Sequence, residues 1–211
     1  RPRFNPYARI DISSGTKEKK PEFNNNLPLD KAKQIVSGLA EGLHFLHSHG
    51  IIHRDIKPEN ILFQSFEPNP IIIDFGISYK NPSNFAKEPP EKKICDVSTG
   101  IYRAPELIFG ITDYSYGIDT WALGIVLSLI FSNHLEPVFH NDDYGDFRLA
   151  SLIFNTFGTP DLDSWPEAKK SSTFSRLNPV KSEPKDVETI LPRADTTVRE
   201  IFKKMMVYES S

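Results

Sequence analysis

The feature that most constrains this chain is a polar octet set between two apolar, β-branched runs. His53-Arg-Asp-Ile-Lys-Pro-Glu-Asn60 follows Ile51-Ile52 and passes directly into Ile61-Leu-Phe63. A second run, Pro70-Ile-Ile-Ile73, follows the turn Glu67-Pro-Asn-Pro70 and ends on Asp74-Phe75-Gly76. Runs of this composition read as short strands, and Pro with Asn marks the turn between them. Two strands flanking a polar loop would carry Asp55, Asn60 and Asp74 together. Asp55 suits a proton acceptor. Asn60 and Asp74 offer the hard oxygens that Mg²⁺ prefers. Gly76 lets the backbone turn without a Cβ clash.

The rest of the chain reads as mostly helical. Ile35, Val36, Leu39, Leu43 and Leu46 recur at helical spacing, predicting a helix from Asp30 to about Ser48 with Asp30 as N-cap or in the first turn, closed by Gly50. Residues 77–98 predict a long loop with Pro82, Pro89 and Pro90. Further helices are expected from Glu106 to about Gly110, Asp119–Ser132, Phe147–Phe157 and Thr197–Val207, the last with Val198, Ile201, Phe202, Met205 and Met206 on one face. Residues 158–195 are broken by prolines and read mostly as loop. Residues 1–27 read as a polar insertion or loop, with Asn24-Asn-Asn26 and a Lys17–Lys20 cluster taken as a solvated run.

Composition sets the outer limits. The 211 residues suffice for one domain with a sizeable core, and 38% hydrophobic with 25% charged residues is ordinary for a globular protein. A net charge of −3 gives no argument for nucleic-acid or membrane binding. The single cysteine, Cys95, rules out an intrachain disulfide. The longest apolar run, Trp121 to Phe131, is too short to span a bilayer and predicts a buried helix. Cytoplasm, nucleus or both is the expected location.

The joined pattern H-R-D-x-K-P-x-N then D-F-G resembles the catalytic centre of eukaryotic protein kinases. Ala104-Pro-Glu106 and Asp119-x-Trp121-x-x-Gly124 follow in the order that family shows. The resemblance implies ATP and Mg²⁺ as cofactors. It makes Asp55 the catalytic base, and Lys57 the lysine with which serine/threonine kinases neutralise γ-phosphate charge. Thr99 would bond both. Asn60 and Asp74 would hold the metal, and Lys57, Glu59, Asn60, Leu62 and Asp74 would line the nucleotide site. Leu62 has two readings, the floor under adenine or plain core. Phe75 would pack to position Asp74. His53 is read as a packed structural histidine. Asp119 would accept backbone N–H bonds from the catalytic loop, and Arg54 would pair with a phosphorylated residue of the 77–98 loop.

Arg103 before Ala104-Pro-Glu106, and Phe147 to Pro160 followed by Trp165-Pro166, resemble the cyclin-dependent and MAP kinase group. Ile72-Ile-Asp-Phe-Gly-Ile-Ser-Tyr79, Ser98 to Glu106 and Asp146-Phe-Arg148 resemble the fungal monomeric cyclin-dependent-kinase-activating kinases. There is one departure. The position of the group's activating threonine falls on Ile94, and no Ser or Thr lies between Ser83 and Ser98. Two alternatives stand: Asp96 or a nearby Glu supplies the negative charge for Arg54, or the loop is held in another way.

The expected fold class is mainly α: the C-terminal lobe of the α+β protein-kinase fold, with a short two-stranded β element at the active site. None of the eleven glycines stands two residues from another, so G-x-G-x-x-G is absent. From that absence the N-terminal lobe is expected to be missing, with residues 28–211 a C-lobe truncated before its last helices, inactive alone. Glu106 is expected to lack the arginine that normally pairs with it. The implied partner is a protein substrate, a cyclin-dependent kinase, acted on by a monomer. Two alternatives stand: another cyclin-dependent-kinase-like enzyme, or a pseudokinase scaffold.

Overall fold

A computed structural model describes residues 24–64, 67–80, 88–140, 145–177 and 179–208. The Lys17–Lys20 cluster lies outside them. Helix α1 (Leu29–Ser48) buries Ala32, Leu39, Leu43 and Leu46 on one face, as its spacing predicts. No side chain caps its start. Pro28 occupies the N-cap position and Asp30 sits in the first turn, where its charge meets the helix's positive end. At the other end Gly50, at φ 73°, donates its N–H to the carbonyl of His47 and turns the chain out of the helix.

Two small antiparallel sheets follow where one was expected. β1 (Ile51–Ile52) pairs with β4 (Tyr79–Lys80), Ile52 facing Tyr79. β2 (Ile61–Phe63) pairs with β3 (Pro70–Ile72), Ile61 facing Ile72 and Phe63 facing Pro70. The β1–β4 pair escapes sequence reading because two residues carry no alternation and Tyr79-Lys80 opens a stretch read as loop. Its pairing is set by tertiary contact, not by local preference.

The core forms around α3 (Gly117–Ile130). It is apolar on all sides and buries Trp121, Leu123, Ile125, Val126 and Leu127. Helix α2 (Pro105–Ile108), α4 (Asp146–Phe157) and α7 (Thr196–Met205) complete the layer. In α7 the Asp195 carboxylate caps the start by accepting from Val198 N–H. Val198 and Phe202 are buried, but Ile201 stays exposed, so the apolar face is narrower than the sequence pattern suggests.

Residues 158–195 are more ordered than expected. They hold a 3₁₀ turn (Pro166–Lys170), α5 (Ser172–Arg176), which Ser171 Oγ caps by accepting from Phe174 N–H, and α6 (Val187–Ile190). Elements of four or five residues are too short to show a period. They are pinned by packing: Trp165 and Phe174 stack edge-on against Phe109, with ring centroids 5.6 and 5.3 Å away. Asn25, from the stretch read as polar loop, is buried. Its amide donates to the carbonyls of Ile130 (2.9 Å) and Ser132 (2.7 Å), satisfying groups at the end of α3. Among the described residues no helix is long and apolar enough to cross a membrane.

Candidate active site

The polar octet is held from beneath by one buried carboxylate. Asp119, in the first turn of α3, is 1% exposed. Its Oδ2 accepts from His53 N–H at 2.7 Å and its Oδ1 from Arg54 N–H at 2.8 Å. His47 Nε2 lies 2.9 Å from Oδ2. The role expected for Asp119 is therefore the one it has. His53 is fully buried. Its Nδ1 accepts from Asp55 N–H (3.2 Å), so Nε2 carries the proton and donates to the Ile73 carbonyl (2.9 Å). It is a bracket between the two loops and not a base.

Above this bracket Asp55, Lys57, Asn60 and Thr99 form one closed network. Thr99 Oγ1 donates to Asp55 Oδ1 (2.7 Å), and Lys57 Nζ donates to Thr99 Oγ1 (2.8 Å). The same Nζ is 2.7 Å from Asp55 Oδ2. Asn60 Nδ2 donates to Asp55 Oδ2 (2.9 Å) and to the Asp55 carbonyl (2.8 Å). Burial alone would raise the Asp55 pKa. The hydrogen bonds from Lys57, Thr99 and Asn60 and the Lys57 charge outweigh it, and the carboxyl titrates below its ordinary value. Asp55 is thus ionised at neutral pH and poised to accept a hydrogen bond.

The β2–β3 register brings the backbone before Asp74 alongside Asn60. Ile61 facing Ile72 sets Asn60 opposite Ile73, and Ile73 N–H donates to the Asn60 carbonyl at 3.0 Å. Asp74 is next in line and exposed, its Oδ1 accepting from Gly76 N–H (3.2 Å). Phe75 sets its ring edge-on to His53, centroids 5.0 Å apart. The donor set fits a hard divalent cation. The Asn60 amide nitrogen is engaged by Asp55, which leaves Oδ1 as its ligating atom, and the Asp74 carboxylate has one protein bond to one oxygen. Mg²⁺ commonly takes only one or two protein oxygens beside phosphate and water. Glu59 is exposed beside this cluster, and Leu62 is half exposed, so the plain-core reading of Leu62 does not hold.

Backbone strain marks the same spots. Among the described residues, four that are not glycine have positive φ. Arg54 (73°) precedes Asp55, Asp74 (65°) is itself a site residue, and Ser98 (67°) precedes Thr99. Each costs roughly 1–3 kcal/mol and persists only where surroundings enforce it. The fourth, Leu135, lies elsewhere.

Arg54 turns away from the network. Its guanidinium is 4.8 Å from the Tyr79 ring centroid and 5.6 Å from that of Tyr114, and its Nη2 donates to Glu88 Oε1 at 2.6 Å. Asp96, the other acid considered for this role, is fully exposed and lies 3.6 Å from Arg103. Glu106 is buried and its side chain has an interaction of its own, so it does not stand without a partner. Sequence reasoning did not find His47, Tyr79, Tyr114 or Lys93. No spacing signal links them to the octet, since their contacts cross between separate elements.

Comparison with known proteins agrees with this geometry. The model of the protein kinase domain matches residues 12–209. Serine/threonine-protein kinase CAK1 of Saccharomyces cerevisiae is 42% identical over 165 residues, 69% of this chain and 45% of that protein. Serine/threonine-protein kinase csk1 of Schizosaccharomyces pombe is 31% identical over 88% of this chain and 61% of its own length. Cyclin-dependent kinase B2-1 of Arabidopsis thaliana is 31% identical over 87% of this chain and 55% of its own. The crystal structure of the yeast RNA Pol II CTD kinase CTDK-1 complex contains a chain superposing with a TM-score of 0.75 at 25% identity, over 87% of this chain and 58% of that one. This chain spans about half the length of the curated relatives it matches.

The kinase-domain match corrects the expected fold class. The sequence was read as a C-terminal lobe alone because the glycine motif is missing. A match to the protein kinase domain beginning at residue 12 overturns the lobe-only description. A missing motif speaks for one loop's sequence and not for a whole domain's fold. With the matched region, the superposition and the network at Asp55 in agreement, this chain belongs to the protein kinase family, in its cyclin-dependent-kinase-like branch.

Proposed function

We propose that the protein transfers the γ-phosphoryl group of ATP to a serine or threonine hydroxyl of a protein substrate, the activation-loop threonine of a cyclin-dependent kinase. The closed network of Asp55, Lys57, Thr99 and Asn60 carries this reading. The ionised Asp55 accepts a hydrogen bond from the incoming hydroxyl and takes its proton as the new P–O bond forms and ADP departs. Lys57 supplies positive charge beside the transferred group, and Thr99 holds it parallel to Asp55. Asn60 Oδ1 and Asp74 would hold Mg²⁺, whose chemistry is to neutralise phosphate charge. Half-exposed Leu62 offers an apolar surface for adenine, and Glu59, next to Asn60, is exposed.

The substrate assignment rests on the resemblance of residues 72–79, 98–106 and 146–148 to kinases that activate cyclin-dependent kinases, and on the identity to CAK1. On this reading the 211 residues alone transfer negligible phosphate, because no glycine-rich phosphate cover is written in them. We place the protein in the cytoplasm, the nucleus or both, acting as a monomer. The test is incubation of the full-length protein with a monomeric cyclin-dependent kinase and MgATP, read by mass spectrometry. Phosphothreonine on the substrate's activation loop with wild type and not with Asp55→Asn is expected. A folded wild-type protein that phosphorylates no protein substrate overturns the reading. Activity that appears only on adding a cyclin identifies a cyclin-dependent kinase instead.

A further inference from the structure

We propose that Glu88 is a built-in anion that locks the activation segment, here residues 88–98, onto the catalytic loop (residues 53–60), in the place where related kinases use a phosphate. The inference deepens the kinase reading above and rests on it. The Arg54 guanidinium is 3% exposed and lies between two tyrosine rings, so it needs an anion that is itself withdrawn from water. Glu88 meets that need. Its Oε1 accepts from Arg54 Nη2 at 2.6 Å and from the backbone N–H of Ile94 at 2.8 Å. Ile94 is the position at which the sequence offers no hydroxyl to phosphorylate. The carboxylate therefore bonds the backbone at that point while holding the arginine.

The surroundings close around this bond. Tyr114 donates its hydroxyl to the Ile94 carbonyl at 2.5 Å, so Ile94 is gripped at both its N–H and its C=O. Lys93 is buried, with Nζ 5.1 Å from the Tyr114 centroid and 5.6 Å from that of Tyr79, and it donates to the Pro90 carbonyl. Two cations thus share one buried aromatic box with one carboxylate, and Glu88 titrates below its ordinary range although burial opposes it. On the far side the Arg54 N–H is fixed by Asp119. The residue beside Asp55 is clamped at its backbone by α3 and at its side chain by the activation segment. In kinases that need phosphorylation, new arginine–phosphate pairs order this segment. Here the order is written into the chain.

Glu88 is a positioning residue, so its test needs more than activity. The full-length protein is compared as wild type, Glu88→Gln, Glu88→Asp, Arg54→Lys and the double variant Arg54→Lys/Glu88→Gln, after phosphatase treatment throughout. Glu88→Gln should lower kcat by about tenfold or more, the size of one charge-assisted hydrogen bond, with KM for ATP little moved. Glu88→Asp should recover most of the loss, and the double variant should fall no further than the worse single one. Independently of activity, trypsin should cut Glu88→Gln after Lys92 about tenfold faster than wild type, reporting release of the segment. Unchanged cleavage at Lys92, or a double variant whose losses multiply, overturns the inference. So does wild-type activity lost to phosphatase. A wild type that phosphorylates nothing defeats the kinase reading alone, because the cleavage comparison still decides the role of Glu88. Should Glu88→Gln not fold, the same cleavage comparison is made with Glu88→Asp and Arg54→Lys, which keep charge and differ in reach.

Discussion

Replacing Asp119 with alanine should be among the most destabilising single changes near the site. The carboxylate accepts two buried backbone donors, His53 N–H at 2.7 Å and Arg54 N–H at 2.8 Å. Each stranded donor costs about 1–3 kcal/mol, and bonds to a charged acceptor lie in the upper part of that range. Two of them give roughly 4 kcal/mol once some strain at Arg54, at φ 73°, is released. His47 adds little, since its ring is partly exposed and can turn to water. Against a total stability of about 5–15 kcal/mol this is a large share. It corresponds to a fall in Tm of roughly 8–16 °C for a domain of this size.

The assay is urea unfolding followed by tryptophan fluorescence, since Trp121 and Trp165 are both fully buried and will report loss of the core. Asp119→Asn keeps the shape and one acceptor oxygen. It should strand one donor, not two, and cost about half as much. The His47→Gln variant should cost under about 1 kcal/mol. An Asp119→Ala loss below about 1 kcal/mol, or an Asn variant as unstable as the Ala variant, would refute the idea that two backbone donors depend on this one group.

Asp55→Asn should lower kcat by at least about 10²-fold, near 3 kcal/mol, with the urea midpoint little changed, as steady-state assay of the full-length protein will show. Thr99→Ala removes the hydroxyl between Lys57 and Asp55 and should reduce kcat about tenfold, whereas Thr99→Ser should retain most activity. At Gly124 an added Cβ would come 2.2 Å from Met206 Sδ. Gly124→Ala should therefore cost about 1–3 kcal/mol of unfolding free energy, and the further change Met206→Ala should relieve part of it. The folded pKa of Asp55 is depressed, so its network contributes stability above the ordinary aspartate pKa and loses it as pH falls through the folded value. Urea midpoints measured from pH 6 downward should drop in the acid range near and below pH 4, and Asp55→Asn should flatten part of that slope.

The candidate site was legible through its motifs, whose resemblance to the kinase pattern proposes the roles of Asp55, Lys57, Asn60, Asp74 and Thr99. Charged and amide side chains between Ile52 and Ile61 can only be a loop held by strands, and Asp55, Lys57, Asn60 and Thr99 do meet in one network. The long helices were legible from periodicity, since their apolar faces repeat over several turns. Elements of two to five residues were not, because β4, α5 and α6 are set by what packs on them. The link at Arg54 shows where sequence stops. The family resemblance gives this arginine an anionic partner and Ile94 cannot supply one, which leaves Asp96, a nearby Glu or another way of holding the loop. Choosing between them requires knowing which acid is desolvated. Asp96 faces open solvent, where a partner gains almost nothing, while the Glu88 side chain is 17% exposed against a guanidinium at 3%. A buried cation selects a buried acid, and burial depends on how Tyr79 and Tyr114 close over the pair, a property of the folded chain that no local pattern encodes.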